Sequence, residues 1–102
     1  MQFIPKFEDI EAASRLISAH VHRTPVLTSK QLDAISGASL FFKCENFQKV
    51  GAFKFRGATN AVLNLTDARR AAGVVTHSSG NHAAALAHAA AMRGVKAYIV
   101  MP

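Results

Sequence analysis

Apolar residues recur along the chain with two periods, and the changes of period divide it into elements. Ile10, Ala13 and Ile17 fall at helical spacing among Glu8, Asp9 and Glu11, which predicts an amphipathic helix ending around residues 18–20. Thr24-Pro25 predicts an extended segment, because the residue before a proline avoids the helical region. Residues 39–46 alternate, with Leu40, Phe42 and Cys44 on one face and Phe41, Lys43 and Glu45 on the other, so a strand is expected with Cys44 in its core face. Phe55, Ala58, Val62 and Leu65 return to the helical period, and that helix should begin close to Lys54. A short helical piece from Thr66 to Gly73, a strand over 73–77, a turn at 78–81, a helix over 82–93 closed by Gly94, and a buried strand over 96–101 complete the pattern. Ala83, Ala87, Ala90 and Ala91 form a small-residue stripe expected to let the last helix approach the sheet closely. Strand, helix, strand, helix, strand is the order of a parallel α/β sheet. The chain reaches Pro102 directly after a strand expected in the interior of that sheet, whose edges need later crossovers to cover them. A truncated domain is therefore expected.

Composition narrows the class. Half of the 102 residues are hydrophobic, the ordinary globular range. A single cysteine excludes an internal disulfide and points to a reducing compartment. The first residues carry acids and no apolar signal core, and the longest apolar run, after Asn81, is broken by His88 and too short to span a bilayer. A cytoplasmic protein without membrane contact is expected. The net charge of +6 raises the alternative of a basic nucleic-acid-binding module. Its basic residues are scattered, with no run longer than Arg69-Arg70, which favours a solvated surface and no nucleic-acid partner. His20 and His22, or His82 and His88, lack the three- or four-residue spacing of helical metal ligands, so no metal site is expected in this chain.

Two segments carry candidate chemistry. Lys54 stands at the positive end of a predicted helix with Lys49 and Arg56 nearby, surroundings that favour the neutral amine a nucleophile needs. A surface lysine at a frayed helix end would look the same. Residues 78–82 (Ser78, Ser79, Gly80, Asn81, His82) turn from a strand into a helix, where backbone N–H groups point at a bound anion. Helix capping alone would also explain that composition.

Together the two segments are far more specific. Gly51-Ala52-Phe53-Lys54-Phe55-Arg56-Gly57-Ala58, preceded by Glu45-Asn46-Phe47-Gln48, resembles the cofactor-lysine segment of the fold type II pyridoxal-phosphate (PLP) enzymes. It is most similar to the serine/threonine dehydratase and serine racemase family. Residues 76–82 resemble that family's asparagine loop, and Thr24-Pro25-Val26-Leu27 and residues 97–102 also fit. The resemblance implies a tryptophan-synthase-β-like α/β fold, with residues 1–65 in the large cofactor domain and 66–102 forming a linker and the start of a small domain.

It further implies that Lys54 carries PLP and serves as base for the substrate's α-proton. Phe53 would pack near the cofactor ring and Asn81 would hydrogen-bond its ring oxygen. Ser78, Ser79, Gly80, Asn81 and His82 would hold the substrate carboxylate, and Ser79 would handle the proton on the opposite face in a racemase. The activity implied is a dehydratase (ammonia-lyase) acting on serine, threonine or 3-hydroxyaspartate in a homodimer, with a serine racemase or an inactive remnant as alternatives. The phosphate loop and the carboxylates of a divalent-metal site lie farther along in the family, so the 102-residue chain alone is expected to be inactive. Ala52 replaces a common serine, and Ala83-Ala84 replace the Gly-Gln of some racemases. Ser29 and Lys49 match positions near a nucleotide-effector site, but Lys30 and Val50 depart from it, and nucleotide regulation is not expected.

Overall fold

A computed structural model describes residues 4–102. The first helix, α1 (Phe7–Ile17), opens with the Lys6 backbone N–H donating to the Asp9 carboxylate at 2.8 Å. That contact and the acidic first turn suit the positive end of a helix. Ile17 is its buried residue, while Ile10 stays exposed. The extended segment after Pro25 becomes strand β1 (Val26–Leu27). Helix α2 (Lys30–Ser36) follows, capped by the Ser29 hydroxyl, which accepts from Leu32 N–H, and closed by Gly37 at φ 71°. The sequence pattern misses α2, which is seven residues long, buries none of them and offers only Leu32 and Ile35, both exposed, as an apolar pair.

The strand expected over residues 39–46 is much shorter. Only β2 (Phe42–Lys43) forms, paired antiparallel with β1, and Glu45–Phe47 and Lys49–Gly51 wind into single 3₁₀ turns. Side-chain demands break the alternation. Glu45 is drawn to Arg56, and Gln48 is drawn back to the His22 peptide. Cys44 is half-buried rather than a core residue.

Helices α3 (Lys54–Leu63) and α4 (Asp67–Ala72) come next, then β3 (Val74–His77), α5 (Asn81–Met92) and β4 (Ala97–Val100). Thr66 caps α4, and Gly73 ends it at φ 88° with its Cα so close that a Cβ would lie 2.7 Å from the Lys96 carbonyl oxygen. β3 and β4 pair in parallel from Val74 opposite Ala97 to His77 opposite Val100, with α5 as the crossover. The expected three-stranded parallel sheet is thus corrected to a parallel pair and a separate antiparallel pair. β4 is not a buried strand, since Tyr98 and Val100 are exposed.

The core lies between α3 and α5. Phe55, Ala58 and Val62 from α3 meet Ala85, Leu86, Ala89 and Ala90 from α5, joined by Val95. The buried stripe of α5 therefore differs from the expected one. Ala87 and Ala91 face outward, and the helix packs mainly on α3 rather than on the sheet. His88 lies edge-on to the Phe55 ring, with centroids 5.1 Å apart. No helix among the described residues is long and apolar enough to cross a membrane.

Candidate active site

Lys54 is the first residue of α3, and the loop leading to it is unusual. Val50 (φ 59°) and Gly51 (φ 72°) are successive left-handed residues, a conformation costly for a β-branched side chain. Phe53 occupies the N-cap position in a helical conformation without a side-chain cap. Lys54 is exposed, and its Nζ lies 5.2 Å from the centroid of the exposed Phe53 ring. Both residues line an open cleft of about 440 Å³, with Ala58, Ala61 and Leu86 as apolar wall and His82 on the α5 side.

The turn after β3 divides its polar groups between structure and solvent. Ser78 N–H donates to the Val100 carbonyl at 3.0 Å, which extends the parallel ladder by one step. The Ser78 hydroxyl oxygen accepts from Gly80 and Ala83 N–H, each at 3.3 Å, and so caps α5. Among the described residues, the N–H groups of Ser79, Asn81 and His82 have no protein partner. These three stand at the positive end of α5, an arrangement able to receive a carboxylate or phosphate. Of residues 78–82, only His82 lines the cleft that holds Lys54. The side chains of Ser79 and Asn81 are exposed, whereas Ser78 is half-buried.

A polar network lies beneath the lysine loop. Arg56 Nε donates to Glu45 Oε2 at 2.8 Å and Arg56 Nη2 donates to Glu45 Oε1 at 2.7 Å, a two-pronged guanidinium–carboxylate pair. Thr24 Oγ1 donates to the same Glu45 Oε1. The Arg56 hydrogen bonds hold the Glu45 carboxyl well below its usual range, at about 2, with burial opposing and Thr24 reinforcing the shift. The Arg56 value is raised, for the reciprocal reason. Buried Gln48 accepts from His22 N–H at 2.9 Å and donates to the His22 carbonyl at 2.8 Å, and Arg56 Nη2 donates to that carbonyl at 3.2 Å. Sequence reasoning passed over Glu45 and Gln48 as flanking letters of a motif. No periodicity announces a carboxylate that meets an arginine eleven positions away.

A model of pyridoxal-phosphate dependent enzymes matches residues 17–102, most of the chain. The chain belongs to this family. It is 58% identical over 100 residues to a beta-hydroxyaspartate dehydratase of Paracoccus denitrificans, covering 98% of this chain and 32% of that protein. It is 64% identical over 93 residues to a serine racemase of Arabidopsis thaliana, covering 91% of this chain and 28% of that protein. Maize serine racemase superposes with a TM-score of 0.93 at 54% identity, over 98% of this chain and 31% of that one. A threonine deaminase (T.th.) superposes with a TM-score of 0.86 at 47% identity, over 96% of this chain and 31% of that one. The chain thus spans about a third of the length of these relatives. Its fold is that of the fold type II PLP enzymes, here an α/β arrangement containing one parallel strand pair.

The donor set suits the family's cofactor. An exposed primary amine and an aromatic ring beside it match the cofactor's carbonyl and its flat ring. Among the described residues, no three His, Cys, Asp or Glu side chains gather as metal ligands.

Proposed function

We propose that the full-length protein is a PLP-dependent ammonia-lyase that converts a small β-hydroxy amino acid to a keto acid and ammonia. Serine, threonine and 3-hydroxyaspartate are the candidate substrates. The observation that carries this reading is the exposed Lys54 amine beside Phe53, in a cleft whose far side is the start of α5. When bound, pyridoxal phosphate supplies an electron sink for an amino acid that loses its α-proton.

In this reading Lys54 Nζ is the atom that would hold the cofactor, and the same amine is the base that would take the α-proton of the substrate. Phe53 offers its exposed ring as a packing surface, and Asn81 offers its side-chain amide to the cofactor's ring oxygen. The substrate carboxylate is received in the loop of Ser78, Ser79, Gly80, Asn81 and His82, with the free N–H groups of Ser79, Asn81 and His82 as its principal donors. Residues 1–65 belong to the large domain, 66–102 open the small one, and the working form is a cytoplasmic homodimer. A divalent metal, where one is used, takes its ligands from outside this chain.

The test is to incubate the full-length protein with each of the three amino acids and follow keto-acid release. Release from at least one of them supports the proposal. None from any, in a protein shown to carry PLP on Lys54, removes it. A second reading, serine racemase, is favoured by the exposed hydroxyl of Ser79 and by the Arabidopsis relative. It predicts D-serine formation faster than pyruvate release, and loss of D-serine in Ser79→Ala.

A further inference from the structure

The segment that carries Lys54 is tied at both ends to the backbone of one residue, His22. Gln48, where the loop begins, accepts from the His22 N–H and donates to the His22 carbonyl. Arg56, just past the lysine, donates to the same carbonyl. Between these ties the backbone passes through the left-handed Val50 and Gly51, so the loop does not adopt its shape by local preference alone. The first turn of α3 has no side-chain cap to orient it. It also carries two cations, Lys54 and Arg56, at the positive end of the helix. Glu45 supplies the missing negative charge, held to Arg56 by two hydrogen bonds and steadied by Thr24.

Residues two apart on a helix leave it in nearly opposite directions. Fixing Arg56 on Glu45 and His22 therefore fixes the rotation of the first turn, and with it the direction in which Lys54 leaves the backbone. We infer that Glu45, Arg56 and Gln48 form a clasp on the His22 backbone whose role is to aim the Lys54 amine into the cleft. Arg56 borders the cleft beside Lys54, but its guanidinium is held on Glu45 and the His22 carbonyl, and the three act as positioning residues. The inference rests on the reading of Lys54 as the cofactor lysine.

The experiment uses the full-length protein with Glu45→Gln, which removes the charge but keeps an acceptor, and Arg56→Lys, which keeps the charge but loses the fork. Apo-protein is mixed with PLP, trapped with borohydride at timed intervals, and the labelled lysine is identified by peptide mapping. The clasp predicts that labelling of Lys54 slows by about ten-fold or more, the order expected when a reacting group is slightly misplaced. It also predicts an altered pH midpoint for the visible band of the bound cofactor, and a fall in kcat with KM within about two-fold of wild type. A merely structural ion pair would change melting and leave the labelling rate and pH midpoint alone; that result overturns the inference. Should Glu45→Gln fail to fold, Arg56→Lys is read by the same measures. If wild-type protein acquires no label at Lys54, the cofactor reading fails. The clasp then has no amine to aim and falls with it, whereas a wild type that labels Lys54 beside variants that label it equally fast sinks the clasp alone.

Discussion

Lys54 and Glu45 sit on either side of the same helix start and answer to different measurements. Lys54 is exposed and supports no core contact, so Lys54→Ala should leave unfolding within about 0.5 kcal/mol of wild type. The same variant should lose cofactor attachment and keto-acid release entirely, which absorbance and a turnover assay check together. Glu45 contributes through its charge. Its folded value of about 2 lies below the ordinary carboxylate value of 4.5, so its contribution is complete above pH 4.5 and is lost as pH falls toward 2. The side chain of Arg56 is 33% exposed, and solvent screening keeps the loss to the order of 2 kcal/mol. Urea melts of wild type and Glu45→Gln should differ most at pH 6, and the gap should shrink by about half at pH 3, where the carboxylate is still largely ionised.

The elements show where sequence and structure part. Ser78 spends its hydroxyl on two N–H groups of the α5 start, so Ser78→Ala should destabilise by about 1 kcal/mol, measurable by denaturant titration. Gly73→Ala should cost about 2 kcal/mol or more, because φ is 88° and the new Cβ would press on the Lys96 carbonyl. Helices α3 and α5 were legible because their apolar residues face one another and keep the helical period. The loop residues of the candidate site were legible as contiguous motifs. The strand over residues 39–46 was misread because alternation records side-chain character and not long-range hydrogen bonds, and Glu45 and Gln48 obey the latter. α2 was overlooked because its apolar pair, Leu32 and Ile35, is too short to set a period, and its signals were the capping Ser29 and the closing Gly37. The alanines of α5 misled for a related reason: in a run so uniformly small, composition does not say which face is inside.

At the scale of the molecule, stability should centre on the contact of α3 with α5. Phe55 is fully buried between them, under His88 at one edge and with Lys49 Nζ 5.7 Å from its ring centroid. Phe55→Ala should therefore cost about 3–5 kcal/mol, with a matching drop in melting temperature. Because Phe55 adjoins Lys54, loss of cofactor attachment should accompany loss of fold in that variant, whereas Lys54→Ala should separate the two. Large apolar side chains also remain on the surface, among them Phe41, Val75, Tyr98 and Val100, on strands or beside them. The chain covers about a third of its relatives' length, and these apolar positions are where any added packing surface would bury most.

The alanines facing α3 have a consequence for how such a site could be retuned. α3 begins with Lys54 and α5 begins at the donor loop, so the distance between the helix axes also governs how far apart these two ends stand. Methyl groups at Ala85 and Ala89, both fully buried, act as spacers in that contact. Enlarging one by a methylene or two would push the helices apart by a fraction of an ångström, at a cost of about 1–3 kcal/mol. Buried methyl groups would then set the width of the cleft between Lys54 and His82 without lining it themselves.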